Sequence, residues 1–285
     1  MKSIKNSKIA LGTAQFGLDY GISNPDGKTS LEEVSKILDT AFNNGIRILD
    51  TAQVYGDSES VLGTYQANRF KIITKINLKN QENDTIESFV NKSLNNLQVE
   101  NLYGLLFHDA KTAIQYPNMV REFRVLKDKG VIAKWGYSVY IPSELEQLIH
   151  KYEKPDIIQV PFSHLDQRFE MMAQNLHHHG VEIHTRSTFL QGLFFKPKEE
   201  LADFFDPLIP YIRELKNTFL DEVHLAQALL NYCLTRDFID YVVIGVNNVY
   251  QLQQNLDALS GSHADLPKPP DKVSENLILP YLWPK

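Results

Sequence analysis

The chain has 285 residues, 43% of them apolar and 22% charged, with 35 acidic against 29 basic side chains and a formal net charge of −6. That balance excludes a broad nucleic-acid-binding face, which needs clustered Lys and Arg, and 15 Phe with 13 Tyr among ordinary aliphatics exclude global disorder. The length exceeds one average domain of ~150 residues but suits a closed α/β barrel of about 250, so one domain over 1–285 is expected.

The basic octet Met1–Lys8 leads into no apolar leader, and no stretch of ~18 apolar residues is present. A soluble cytoplasmic protein without a membrane partner is expected. The first strand is predicted at Ile9–Gly12. Gly12, Gly17 and Gly21 follow it, but no helix signal begins before Ser30, so this is not the glycine fingerprint of an open dinucleotide-binding sheet. In the first helix Leu31, Val34, Ile37, Leu38, Ala41 and Phe42 share a face, Ser30 with Glu33 forms a capping box, and Gly45 stops it. Strands follow at Ile46–Asp50 and Ile72–Ile76, the latter carrying Lys75 inside an apolar run. Asp84 with Glu87 caps a helix marked by Ile86, Phe89, Val90, Leu94 and Leu97. The fourth strand is Tyr103–His108, and its helix runs between Pro117 and Gly130. The fifth is Ala133–Ser138, with Ser143 and Glu146 as the next capping box. Ile157–Val160 and Val181–Arg186 make the sixth and seventh. Between these two, His177, His178 and His179 end a helix before Gly180. Consecutive residues on a helix face different directions, so they read as a solvated C-terminus and not a metal site. An insertion spans about 191–221, Cys233 lies in an apolar helix, Tyr241–Ile244 is the eighth strand, and a Pro-rich tail covers about 262–285. One cysteine excludes an intrachain disulfide and a multi-thiolate metal site.

Eight strand–helix repeats without a Gly-rich turn favour an α/β fold of the (β/α)8 TIM-barrel type over a doubly wound sheet. In such a barrel the reactive groups stand at the C-terminal strand ends, where the predicted elements place Asp50, Lys75, His108, Ser138, Gln159 and Arg186, with Tyr55 just beyond the second strand. A lysine inside a strand needs a carboxylate neighbour, and Asp50 is the candidate. An ammonium beside a phenol is expected to lower the pKa of Tyr55 and make it a general acid. His108 is placed to orient a carbonyl oxygen. Taken singly, a strand-end Lys is a surface residue, a buried His a core residue and a loop Tyr a packing residue. Their convergence on one barrel mouth points to carbonyl reduction. That chemistry needs a hydride no side chain supplies, hence a nicotinamide cofactor.

The run Leu49-Asp50-Thr51-Ala52-Gln53-Val54-Tyr55-Gly56, with Ser58-Glu59 and Leu62-Gly63, resembles the signature of the aldo-keto reductases. Ile9–Thr13, Gly136-Tyr137-Ser138, Gln159–Phe162, Gln191-Gly192-Leu193 and Gly245–Asn255 extend the likeness over nearly the whole chain. The resemblance implies Asp50, Tyr55, Lys75 and His108 as a catalytic tetrad, with Tyr55 the proton donor. It also implies NADPH or NADH extended across the mouth, with Ser138 and Gln159 on the carboxamide and Gly245, Asn247, Gln251 and Asn255 at the adenine end. Three positions depart from the family pattern. Val139 stands where many members have Asn. Arg186-Ser187 replace a Tyr-Ser pair whose ring stacks on nicotinamide, and a planar guanidinium can also stack. Asn247 replaces the Arg or Lys that pairs with the 2′-phosphate, which leans the cofactor toward NADH or dual use. Phe16, Tyr20, Tyr281 and Trp283 are aromatics on loops that the likeness puts near the substrate opening, as pocket walls or as packing.

The implied activity is reversible reduction of an aldehyde, ketone or sugar carbonyl to an alcohol. The expected partner is therefore a small molecule, with no nucleic acid, membrane or metal. The same fold also serves as the potassium-channel β subunit, a cofactor-binding regulator with little turnover, which is the alternative. A lyase or isomerase using Lys75 as a Schiff base is a third, weaker possibility.

Overall fold

The structure, a computed structural model, describes residues 8–65, 67–77, 85–257 and 265–284. Met1–Ser7, Asp84 with its expected cap, and 262–264 of the tail lie outside the described residues.

Eight parallel strands form a closed barrel in chain order. They are β1 (Ile9–Gly12), β2 (Ile48–Asp50), β3 (Lys71–Ile76), β4 (Leu102–Phe107), β5 (Ile132–Ser138), β6 (Ile157–Pro161), β7 (Glu182–Arg186) and β8 (Tyr241–Gly245). β8 closes on β1 with Ile9 opposite Val242 and Gly12 opposite Gly245. Side chains alternate across a strand, so one parity fills the barrel and the other meets the helices. Ala10, Ile48, Ile73, Leu106 and Ile157 form the interior plug. The outward residues join the inner helix faces in the main core.

The helices are α1 (Leu31–Asn43), α2 (Ser58–Thr64), α3 (Ile86–Leu97), α4 (Ala110–Gln115), α5 (Asn118–Asp128), α6 (Pro142–Lys151), α7 (Glu170–His178), α8 (Ile209–Thr218), α9 (Glu222–Leu234), α10 (Val249–Asp257) and α11 (Glu275–Ile278). α1 keeps one half of the predicted capping box, Ser30 Oγ accepting from the Glu33 N–H at 3.3 Å, while Glu33 Oε1 accepts instead from the Val249 N–H. α3 is capped by Thr85, which accepts from the Ser88 N–H at 3.1 Å. The box expected at Ser143 does not form, because the helix opens two residues earlier than that cap requires, at Pro142, with Ile141 as an extended N-cap. A proline at the first turn forfeits no hydrogen bond, and it holds the residue before it extended. α4, capped by Asp109, is an extra turn of helix ahead of the helix expected after Pro117.

The insertion folds as short 3₁₀ turns leading into α8. With α9 and α11 it buries a second core around Leu193, Phe194, Leu208, Leu215 and Ile278. At the N-terminal end of the barrel, burial alone would push the Glu182 carboxyl up. Hydrogen bonds from His184, Lys134 and Tyr103 outweigh it and hold its pKa at about 2. No helix among the described residues is long and apolar enough to cross a membrane.

Candidate active site

The C-terminal strand ends open into an elongated cleft of about 890 Å³ that runs from Tyr55 and His108 past Ser138, Gln159 and Arg186 to Asn247, Gln251 and Asn255. At its floor lies a buried ion pair. Lys75 Nζ donates to Asp50 Oδ1 at 2.7 Å and to the Thr51 carbonyl at 3.0 Å. Asp50 Oδ2 accepts from Gln159 Nε2 at 2.7 Å, and Ser138 Oγ donates to Gln159 Oε1 at 3.3 Å. The two charged side chains are only 1% and 5% exposed. Four strand ends are thereby tied together through one carboxylate. Both its oxygens are hydrogen-bonded, the condition under which a buried pair is tolerated.

Tyr55 stands over this pair, with Lys75 Nζ 5.3 Å from its ring centroid. The His108 ring meets it edge-on at 5.7 Å. The structure thus brings Asp50, Tyr55, Lys75 and His108 together. It corrects the electrostatic expectation: burial, and then the Asp50 charge, push the Tyr55 hydroxyl up, with Arg186 pulling weakly the other way. Burial draws the Lys75 ammonium down against the opposing pull of Asp50. Desolvation therefore dominates in the site as it stands, and Tyr55 remains a phenol throughout the neutral range.

The Tyr55 loop is fixed from below. The Ser58 N–H donates to the Tyr55 carbonyl at 3.1 Å, and Ser58 Oγ donates to the Thr13 carbonyl at 2.9 Å. Glu59, 3% exposed, accepts from Thr74 Oγ1 at 2.7 Å, Ser93 Oγ at 2.8 Å and Asn96 Nδ2 at 3.3 Å. This clamp fastens α2 to β3 and α3, and it is the positioning role that sequence reasoning left unassigned to the Ser58-Glu59 pair.

At the far end of the cleft, Asn248 Oδ1 caps α10 by accepting from the Gln251 N–H at 2.9 Å, and Gln251 Oε1 accepts from the Asn247 N–H at 2.8 Å. The first N–H of α10, on Val249, donates to Glu33 Oε1 of α1 at 2.6 Å. Gly245 ends β8, and Asn255 is buried at the cleft wall. Ser187 lines the cleft in a left-handed conformation, φ 67°. The cleft, with the Gln159 amide beside the buried Asp50 carboxylate at one end and the Asn247, Gln251 and Asn255 amides at the other, fits an extended dinucleotide.

Other expectations resolve plainly. Tyr20 lines the mouth, its hydroxyl accepting from Gln191 Nε2 at 3.2 Å. Phe16, offered as a pocket wall, is instead fully buried in the main core, because the 3₁₀ turn Ala14–Phe16 rotates it inward. Trp283 packs against the second core and edge-on against Phe205. Cys233 is buried, and burial pushes its thiol up to about 12. His177 and His178 close α7 and His179 caps it. Among the described residues no group of three or more His, Cys, Asp or Glu is arranged to hold a metal.

Comparison with known proteins agrees with this geometry. The profile of the aldo/keto reductase family matches residues 8–265. The uncharacterized oxidoreductase YqkF of Bacillus subtilis is 26% identical over 277 residues, covering 88% of this chain and 90% of that protein. The D-arabinose 1-dehydrogenase of Saccharomyces cerevisiae is 29% identical over 150 residues, 47% of this chain and 43% of that one. Among solved structures, the holo form of aldo-keto reductase AKR11C1 from Bacillus halodurans superposes with a TM-score of 0.73 at 21% identity, over 90% of this chain and 88% of that one. With the profile spanning nearly the whole barrel, the chain belongs to the aldo/keto reductase family.

Proposed function

We propose that this protein reduces the carbonyl of a small aldehyde, ketone or sugar to an alcohol, reversibly, with NADH or NADPH as reductant. The reading rests on one observation, the buried Lys75–Asp50 pair beneath the Tyr55 phenol at the floor of a long cleft. A nicotinamide dinucleotide, when bound, supplies the hydride. Ser138 and Gln159 present polar atoms for its carboxamide, and Gly245, Asn247, Gln251 and Asn255 line the adenine end. The Tyr55 phenol gives its proton to the carbonyl oxygen as negative charge develops there, and Lys75 stabilises the phenolate left behind. His108, edge-on to Tyr55, orients that oxygen. The barrel, its insertion and its tail act as a single unit, the insertion walling the substrate side.

The adenine end favours NADH or dual use. Asn247 brings no cation to a 2′-phosphate, and the Glu33 carboxylate already occupies the α10 N-terminus, where a phosphate would otherwise be welcome. An intact ion pair and phenol support turnover over a purely regulatory role.

The test is Tyr55→Phe, followed by absorbance at 340 nm with each reduced cofactor against a panel of aldehydes and sugars. Turnover should fall at least ~100-fold, the ordinary contribution of a general acid, while cofactor dissociation constants stay within about threefold. Residual turnover above a few per cent would remove Tyr55 as the proton donor.

A further inference from the structure

Arg186 ends β7 and lines the catalytic end of the cleft together with Tyr20, Tyr55 and Tyr140. Of the other charged side chains lining the cleft, all but Glu222 are paired. Asp50 is paired with Lys75 at 2.7 Å, and farther out Lys196 lies 3.4 Å from Glu200. Arg186 has no such partner. Its bonds run to the Val139 carbonyl at 3.1 Å and to Ser187 Oγ at 3.4 Å, and among the described residues no carboxylate lies within ion-pair distance of it. A guanidinium carries five N–H donors, so most of its hydrogen-bonding capacity is unspent inside the cleft.

The group is also held still. Its carbon sits 3.7 Å over the Tyr140 ring. Tyr140 is in turn fixed by an edge-on contact with Tyr281 of the tail at 4.9 Å, and by Arg168 donating to its carbonyl at 3.3 Å. Stacking uses the face of the guanidinium and leaves its remaining edge donors available. A planar fork immobilised in this way loses little freedom on binding an anion, and it matches the two oxygens of a carboxylate or phosphate. It also lies within electrostatic reach of the Tyr20 and Tyr55 phenols, the second of them the proposed proton donor.

We propose that Arg186 selects substrates in which the reacting carbonyl is joined to an anionic group, a carboxylate or a phosphate. The anion docks on the free edge of the guanidinium and sets the carbonyl oxygen against Tyr55. The inference deepens the carbonyl-reductase reading and rests on it.

Two substrate pairs test it: 4-formylbenzoate against its methyl ester, and glyceraldehyde 3-phosphate against glyceraldehyde. Each pair keeps the carbonyl and changes the charge. The unaltered protein should show kcat/KM at least roughly tenfold higher for the anionic member of one pair, the range of a charge-assisted bond. The pair that responds identifies the anion. Arg186→Met should collapse that ratio toward one, chiefly through KM, and Arg186→Lys should restore part of it. The ratio is insensitive to a general loss of folding or of cofactor affinity, since both members share them. Equal kcat/KM within both pairs, with the neutral aldehydes reduced, overturns the inference and leaves the reductase reading standing. An equal loss on both members in Arg186→Met, with a weakened cofactor dissociation constant, overturns it by assigning the charge to the cofactor. Absence of turnover on all four compounds in the unaltered protein removes the reductase reading and this inference with it.

Discussion

A single carboxylate organises the floor of the cleft. Asp50 accepts from Lys75 and from Gln159, and Gln159 accepts from Ser138, so the ion pair and the amide and hydroxyl facing the cleft share one hydrogen-bonded chain. Removing one partner of such a buried pair strands the other charge, a loss of about 3–5 kcal/mol. For that reason Asp50 is expected to serve stability as well as its proposed role of positioning Lys75 and Gln159. At the far end of the cleft the proposed cofactor preference turns on Glu33 and Asn247. With a carboxylate on the first α10 N–H and an amide in place of a cation, NADH should bind at least as tightly as NADPH. Asn247→Arg should shift the ratio of dissociation constants toward NADPH by roughly ten- to a hundredfold, the worth of one charge-assisted phosphate contact. Quenching of protein fluorescence by each reduced cofactor reads both constants. A hundredfold preference for NADPH in the unaltered protein would contradict the assignment.

Two connections, the loop after β1 and the loop carrying Tyr55, cross with no space between their backbones. A Cβ built on Gly17 would lie 1.8 Å from the Tyr55 carbonyl oxygen and 2.6 Å from the Ser58 nitrogen. Both atoms are backbone, so neither can swing aside. Gly17→Ala should therefore displace the Tyr55 loop. The expected result is a loss of about 1–3 kcal/mol from overpacking and at least a tenfold fall in kcat from a misplaced donor, read by thermal melting and the 340 nm assay. Unchanged kcat would mean that the crossing does not position Tyr55. Much of the element-level architecture was legible in advance. The apolar runs, the helical face from Leu31 to Phe42 and the Ser30 cap are local, and local signals survive folding. The Ser143 box failed because Pro142, one residue upstream, starts the helix more cheaply. The seat of Arg186 on Tyr140 was not legible, since the two are joined only by the strand register of the closed barrel. Nor was the inward turn of Phe16, which depends on a 3₁₀ turn with no side-chain cap. The direction of the Tyr55 shift escaped for a similar reason: proximity to Lys75 can be inferred from a motif, but the depth of burial that overrides it cannot.

At the scale of the molecule, the barrel and the insertion meet at His164, in the loop after β6. Its Nδ1 lies 2.6 Å from the Tyr211 hydroxyl on α8, and its ring meets Tyr232 of α9 edge-on at 4.8 Å. Burial, and then the Arg236 charge, push its pKa down to about 4 from the ordinary 6.5. The imidazole is thus neutral in the folded protein, while the unfolded chain takes up a proton near pH 6.5. Between those values the unfolded state binds more protons, so stability rises with pH across the window and falls as the solution is acidified from 6.5 toward 4. Below 4 both states carry the proton, and this residue adds no further loss. Glu182 acts in a separate, lower window. Its pKa is depressed from 4.5 to about 2, so its contribution is complete above 4.5 and disappears as pH falls through 2. A melting-temperature scan should therefore decline from pH 6.5 downward, and His164→Gln, whose amide can still meet Tyr211, should flatten the portion between 6.5 and about 5 while leaving the steeper acid limb. A scan of the unaltered protein that is level from pH 7 to 5 would show that docking of the insertion does not depend on a neutral His164. The same insertion carries Phe195, Lys196, Pro197 and Glu200 into the cleft wall. Mild acid should therefore loosen the substrate side of the site before it unfolds the barrel, and KM should rise across that window ahead of any fall in melting cooperativity.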